Sequence, residues 1–129
     1  MNSSFISLLA FAIIPLASCG TIPGSVRVEK EDAGRTVVLS PGGELVVVLQ
    51  GNLSTGYQWE VASIDKNVLR QSARPVFEPY SSNDGSPGNF TMRYQGVKPG
   101  ETTLKLIYRR PFEPDEPPAG SYEITVRVQ

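Results

Sequence analysis

Along most of the chain the apolar residues fall on alternate positions. Tyr122, Ile124, Val126 and Val128 alternate with Glu123, Thr125 and Arg127, and Phe90, Met92 and Tyr94 alternate with Thr91 and Arg93. Leu104, Leu106 and Tyr108 alternate with Thr103, Lys105 and Ile107, and Tyr57, Trp59 and Val61 with Gln58 and Glu60. Successive side chains of a strand point to opposite faces, so a period of two predicts strands buried on one face. RTVVLS, with Val37 and Leu39, is a further short strand. The run ELVVVLQ is nearly all apolar, which predicts a strand covered on both faces. NVLRQSARPVFEPY has room for one more strand, and SIDKNVL (63–69) for a single helical turn capped by Asp65. No long helix is expected. SPGG (40–43) and KPG (98–100) carry Pro and Gly where tight turns need them. The whole predicts an all-β chain, an immunoglobulin-like β-sandwich of about seven to eight short strands, with Trp59 in the core on a middle strand.

Three connections are longer or richer than turns: GNLSTG (51–56), EPYSSNDGSPGN (78–89) and RRPFEPDEPPAG (109–120). Long loops on a compact scaffold are where function concentrates, and loops from alternate strand ends can gather at one end of a sandwich. In the first, Gly56 permits a positive φ and a close backbone approach. Ser54 and Thr55 both donate and accept hydrogen bonds, and Asn52 can fix the turn. Nothing in it is charged, so it can enter a narrow cleft without burying an unpaired charge. The alternative is a capped turn whose hydroxyls face water. The third loop opens Arg109-Arg110-Pro111-Phe112, and exposed Arg and aromatic residues are interface hot-spot types. The alternative there is Phe112 folded back on the sandwich edge. In the second, Gly85, Pro87 and Gly88 shape the backbone around Asp84, or form a flexible hairpin tip. Asn83 and Asp84 are too few for a calcium site, which takes 6–8 oxygens.

Composition narrows the chemistry. The chain has 129 residues, a formal net charge of −1, one cysteine and no histidine. The length suits one domain. Without histidine, neither a Ser-His-Asp nor a Cys-His nucleophile system can be built within the chain, and a His/Cys zinc site is excluded. No cofactor is implied, and the charge balance gives no footprint for nucleic acid. Residues 1–18, MNSSFISLLAFAIIPLAS, read as a secretory signal whose apolar stretch is too short to span a bilayer. Leu16-Ala17-Ser18-Cys19 resembles a bacterial lipobox, although no Lys or Arg precedes the apolar run. Cys19 would then carry a lipid, residues 19–25 would be a tether, and the folded domain would span 26–129. The alternative is an ordinary signal peptide with a chance cysteine. With Gly20 and not aspartate after the cysteine, an outer-membrane or periplasmic-face location is expected over the inner membrane.

Taken together, the loops resemble those of the chagasin-like inhibitors of papain-family cysteine peptidases. That family carries Asn-Pro-Thr-Thr-Gly-Tyr/Phe with a Trp two residues on, then Gly-x-Gly-Gly, then Arg-Pro-Trp or Arg-Pro-Phe. The chain has Asn52-Leu53-Ser54-Thr55-Gly56-Tyr57-Gln58-Trp59, an approximate Gly85-Ser86-Pro87-Gly88, and Arg110-Pro111-Phe112, in the same order. Leu53 stands in place of Pro, Ser54 in place of Thr, Pro87 in place of Gly, and Phe112 keeps the aromatic face with less area than Trp. The resemblance implies a reversible, non-covalent inhibitor that fills a peptidase's active-site cleft with loops 51–57, 84–89 and 109–113. Thr55 would lie nearest the target's catalytic Cys and His, with Asn52, Leu53, Ser54, Gly56 and Tyr57 around it. Gly85, Ser86, Pro87 and Gly88 would meet one rim of the cleft, and Arg110, Pro111 and Phe112 the other. The partner would be a papain-family cysteine peptidase, the membrane would be reached through the lipid on Cys19, and a monomer is expected. The alternative is an envelope adhesion or scaffold lipoprotein that binds a protein or glycan through the same loops. A hydrolase comes third, because Asp84, Glu113 and Asp115 form no visible catalytic pair.

Overall fold

The computed structural model describes residues 24–129, so the signal segment and Cys19 lie outside the described residues. Among these residues nine strands form two sheets: β1 (Ser25–Val28), β2 (Thr36–Leu39), β3 (Glu44–Gly51), β4 (Gln58–Ser63), β5 (Leu69–Gln71), β6 (Val76–Pro79), β7 (Gly88–Gly96), β8 (Gly100–Arg109) and β9 (Gly120–Val128). One sheet runs β1-β3-β7-β5, with β6 also on β7; the other runs β2-β9-β8-β4. The period-two residues do what their pattern requires. Phe90, Met92 and Tyr94 from one sheet face Leu104, Leu106, Tyr122, Ile124, Val126 and Val128 from the other, all buried. Leu45, Val47 and Leu49 join that core, while Val46 and Val48, on the other face of β3, are buried as well.

The differences from the sequence reading have local causes. SVRV forms an unpredicted strand, β1, whose parallel pairing to β3 starts at Ser25↔Glu44. The segment 67–80 makes two short strands, because Ser72–Pro75 interrupts it and Pro75 has no N–H to give to β7. Over 63–69, by contrast, the single capped turn that the sequence predicts is present. The Asp65 carbonyl accepts from Val68 and Leu69, both at 3.0 Å, and its Oδ1 accepts from the Asn67 N–H at 2.9 Å, giving one closed turn with Asp65 as its cap. β4 is an edge strand, not a middle one, so Trp59 is half-buried and packs against the core from its rim.

One long-range tie fixes the start of the domain. The Tyr122 hydroxyl donates to the Glu29 carbonyl at 2.8 Å. Burial, with Asp32 and Glu31 nearby, pushes this phenol up to about 12, so it stays a neutral donor.

The register sets which loops meet. Gly51 pairs with Gly88 and Pro79 with Gly88, Gln58 pairs with Arg109, and Tyr108 with Gly120. The three long connections therefore leave the sheets at one end. Gly24, the 40–43 turn and Gln129 lie at the other, since Glu44 pairs with Gln95 and Val128 with Gly100.

Candidate functional site

The first loop is a 3-10 turn, Leu53–Thr55, closed at both ends by its own residues. Asn52 caps it, its Oδ1 accepting from the Ser54 N–H at 3.1 Å. Gly56 ends it in the left-handed region at φ 84°, as the sequence reading expected of that glycine. Backbone bonds from Thr55 to Asn52 and from Gly56 to Leu53 complete the turn, and the Thr55 hydroxyl donates to the Asn52 carbonyl at 2.6 Å. Leu53 opens the turn and its N–H serves no hydrogen bond among the described residues. Asn52 before it is extended at φ −139°, ψ 99°. A proline would meet no conflict there, so the family's Pro and this Leu53 are compatible with one backbone.

The other two loops close on this turn from opposite sides. On one, the Asn52 amide donates to the Gly85 carbonyl at 3.1 Å, and the space beside Gly85 opens towards the Ser54 hydroxyl. On the other, Arg110 Nε donates to the Thr55 carbonyl at 3.0 Å, and the Phe112 ring lies against Gly56. The Arg110 guanidinium also sits over the Tyr57 ring, 4.6 Å from its centre, and its Nη1 is 3.6 Å from Glu113. Phe112 nonetheless remains 68% exposed, the most exposed large apolar side chain among the described residues. It folds back on the first loop with one edge and shows the rest to solvent.

Of the residues named from the sequence, Asn52, Leu53, Ser54, Thr55, Gly56, Tyr57, Gly85, Ser86, Pro87, Arg110, Pro111 and Phe112 are exposed or half-buried at this one end. Gly88 is not among them: it is buried at the start of β7, between Gly51 and Pro79. Pro87, the departure from the glycine pattern, uses its carbonyl to accept from the Tyr80 N–H at 2.9 Å and the Ser86 hydroxyl at 2.8 Å. The second loop is thus pinned across its base.

Sequence reasoning missed two supports. Tyr108 reads as one more apolar position of β8. In the fold it stacks with Trp59 at 5.0 Å and Tyr57 at 5.1 Å, and its hydroxyl accepts from the Asn52 N–H at 2.7 Å. Tyr80 bridges β3 and β7, accepting from Gln50 at 2.9 Å and donating to Asn89 at 2.8 Å. The one available signal for Tyr108 was its place directly before Arg109-Arg110. Removing its hydroxyl alone, in Tyr108→Phe, leaves a half-buried N–H at Asn52 without a partner. Thermal unfolding should show a loss of about 1 kcal/mol, and amide exchange at Asn52 should quicken while the aromatic stack persists.

The comparisons with known proteins bear on this arrangement directly. The family described as "Chagasin family peptidase inhibitor I42" matches residues 38–126, which take in all three loops. The chain belongs to the chagasin family. Members of this family are inhibitors of proteases and not enzymes. Amoebiasin-1 of Entamoeba histolytica is 28% identical over 87 residues, covering 67% of this chain and 83% of that protein. The crystal structure of EhICP2, a cysteine protease inhibitor from the same organism, superposes with a TM-score of 0.71 at 26% identity, over 82% of this chagasin-family chain and 96% of the other. PbICP-C, solved in complex with falcipain-2, shares the fold with a TM-score of 0.53 at 22% identity, over 82% and 99% of the two chains.

Proposed function

We propose that the protein inhibits papain-family cysteine peptidases reversibly and without a covalent bond, by placing its three loops in the active-site cleft. The observation that carries this reading is the junction of the loops: the first is hydrogen-bonded to the second through Asn52–Gly85 and to the third through Thr55–Arg110. A wedge with a flank on either side is what filling a cleft requires. Its turn is ordered before any partner arrives, so less conformational entropy is lost on binding. No residue of the inhibitor need do chemistry. Thr55 and Leu53 at the tip are exposed and uncharged, and Phe112 offers an aromatic face on the third loop's side. Gly85, Ser86 and Pro87 serve the opposite side. The family match supports the inhibitor and leaves the adhesion or scaffold alternative without support.

The test is a titration of papain with residues 20–129 on a fluorogenic peptide, beside Thr55→Arg. The substitution puts a long charged side chain at the tip, where it must enter the cleft. Inhibition by the unaltered protein, weakened at least ~100-fold (~2.7 kcal/mol) in the variant, is the expected result. Equal inhibition by both would remove Thr55 from the wedge.

The export reading rests on Leu16-Ala17-Ser18-Cys19. It is a lipid on Cys19 that anchors the protein in a bacterial envelope, outer membrane or periplasmic face. Expressed in a bacterium fed an alkyne-bearing fatty acid, the protein should label, and Cys19→Ala should not. Label in both would place the lipid elsewhere or nowhere specific.

A further inference from the structure

A loop laid in a peptidase's cleft is exposed to that peptidase's chemistry, and the carbonyls of the first loop bear on whether it is cut. The Asn52 carbonyl accepts from the Thr55 N–H at 3.2 Å and from the Thr55 hydroxyl at 2.6 Å, and the Leu53 carbonyl accepts from the Gly56 N–H at 3.0 Å. The Thr55 carbonyl is different, because its donor comes from another loop: Arg110 Nε, at 3.0 Å. Of the four, the Ser54 carbonyl alone has no partner among the described residues. A cysteine peptidase attacks a carbonyl carbon while fixed donors receive the oxygen as it gains charge. An oxygen already held by the inhibitor's own guanidinium has to leave it and turn before it can reach such donors.

We propose that Arg110 is a positioning residue that keeps the Thr55–Gly56 bond from being hydrolysed by the peptidase that the first loop occludes. The inference rests on the reading of that loop as the wedge. Arg110 is directed inward by three contacts: the Thr55 carbonyl, the Tyr57 ring at 4.6 Å and the Glu113 carboxylate at 3.6 Å. The resemblance gives it to the cleft rim together with Phe112; its side chain is half-buried against the first loop, while Phe112 is 68% exposed. Hydrolysis would break the amide between the Thr55 carbonyl carbon and the Gly56 nitrogen. The carbon would take the hydroxyl of a water molecule and the nitrogen its proton. Without the guanidinium the turn keeps its own hydrogen bonds, but the Thr55 carbonyl is no longer held and can turn towards such donors. A lysine supplies charge but neither the planar stack nor the directed Nε donor, so it replaces the arginine only in part.

The experiment compares the unaltered protein, Arg110→Ala and Arg110→Lys, each first shown by thermal unfolding to be folded. Each is incubated with a trace of papain, with intact mass and recovering papain activity followed over time. A parallel set is exposed to subtilisin, which reads opening of the loop whether or not papain is bound. The expected result is an intact unaltered protein. Arg110→Ala should be cut at the Thr55–Gly56 bond roughly 10- to 30-fold faster, the scale of one lost charge-assisted hydrogen bond, with papain activity returning. Arg110→Lys should fall between. An Arg110→Ala protein that stays whole and simply binds papain more weakly overturns the proposal, as does an unaltered protein cut equally fast. If the unaltered protein does not inhibit papain, the inhibitor reading fails on that enzyme, and the subtilisin set still decides. Faster cutting of Arg110→Ala at Thr55–Gly56 upholds the latch, and equal cutting there, or faster cutting only at other bonds, overturns it.

Discussion

Gly56→Val should weaken inhibition of papain at least ~100-fold while leaving a folded domain. Gly56 holds φ 84°, a conformation that costs a β-branched residue about 1–2 kcal/mol. The added Cβ would also stand 2.8 and 2.9 Å from the Cε1 and Cζ atoms of Phe112. That ring is largely exposed and can swing away, so the sandwich survives. What is lost is the junction between the first and third loops, and with it the fit of the tip. A fall in affinity of at least ~100-fold, or ~2.7 kcal/mol, is expected from inhibition titrations, against a drop of only about 1–2 kcal/mol in unfolding free energy. Unchanged affinity would show that the peptidase does not read the shape of this turn.

Gly88→Ala should do the reverse. Its Cβ would lie 2.1 Å from the Glu78 carbonyl oxygen and 2.6 Å from the Pro79 Cα, both backbone atoms of β6. Nothing there can rotate aside. Either β6 leaves β7 or the start of β7 shifts, and Gly51 on its other side leaves little room, because its own position is tight against the Phe90 ring. A loss of about 3 kcal/mol is expected, and a melting temperature lower by more than about 10 °C. The fraction that remains folded should still inhibit, because Gly88 is buried and offers no surface to a partner. A stable Gly88→Ala protein that fails to inhibit would return this residue to the interface.

Much of this molecule was legible before its fold was known, and the limits are physical ones. The alternation in 90–94 and 122–128 is strict because each strand has one face on the core, 104–108 departs from it only at Ile107, and those elements appear where the pattern puts them. ELVVVLQ reads as covered on both faces, and both faces are covered. SVRV alternates too, but with only two apolar residues in four the run is too short to stand out from a connecting segment. Trp59 was placed too deep because composition reports that an indole is sheltered but not that its strand closes a sheet. In the loops, the special backbone at Gly56 was readable because an αL turn end favours glycine. The inward direction of Arg110 was not, since the carbonyl it serves lies 55 residues earlier in the chain. Gly88 looked like its neighbour Gly85, yet one is crowded by backbone and the other, at φ 80°, stands almost clear.

The parallel course of β1 beside β3 gives the molecule a polarity. Ser25 pairs with Glu44, and β3 then runs to Gly51 before the first loop begins, roughly 25 Å further along at about 3.3 Å per residue. The chain is therefore handed to the sandwich at one pole, and the wedge stands at the opposite one. Were a lipid on Cys19 to hold that first pole against a membrane, the loops would face away from the bilayer, like a bristle fixed at its base. Such an inhibitor would intercept peptidases approaching from the surrounding fluid and would have poor reach towards any whose cleft lies flat on the same surface.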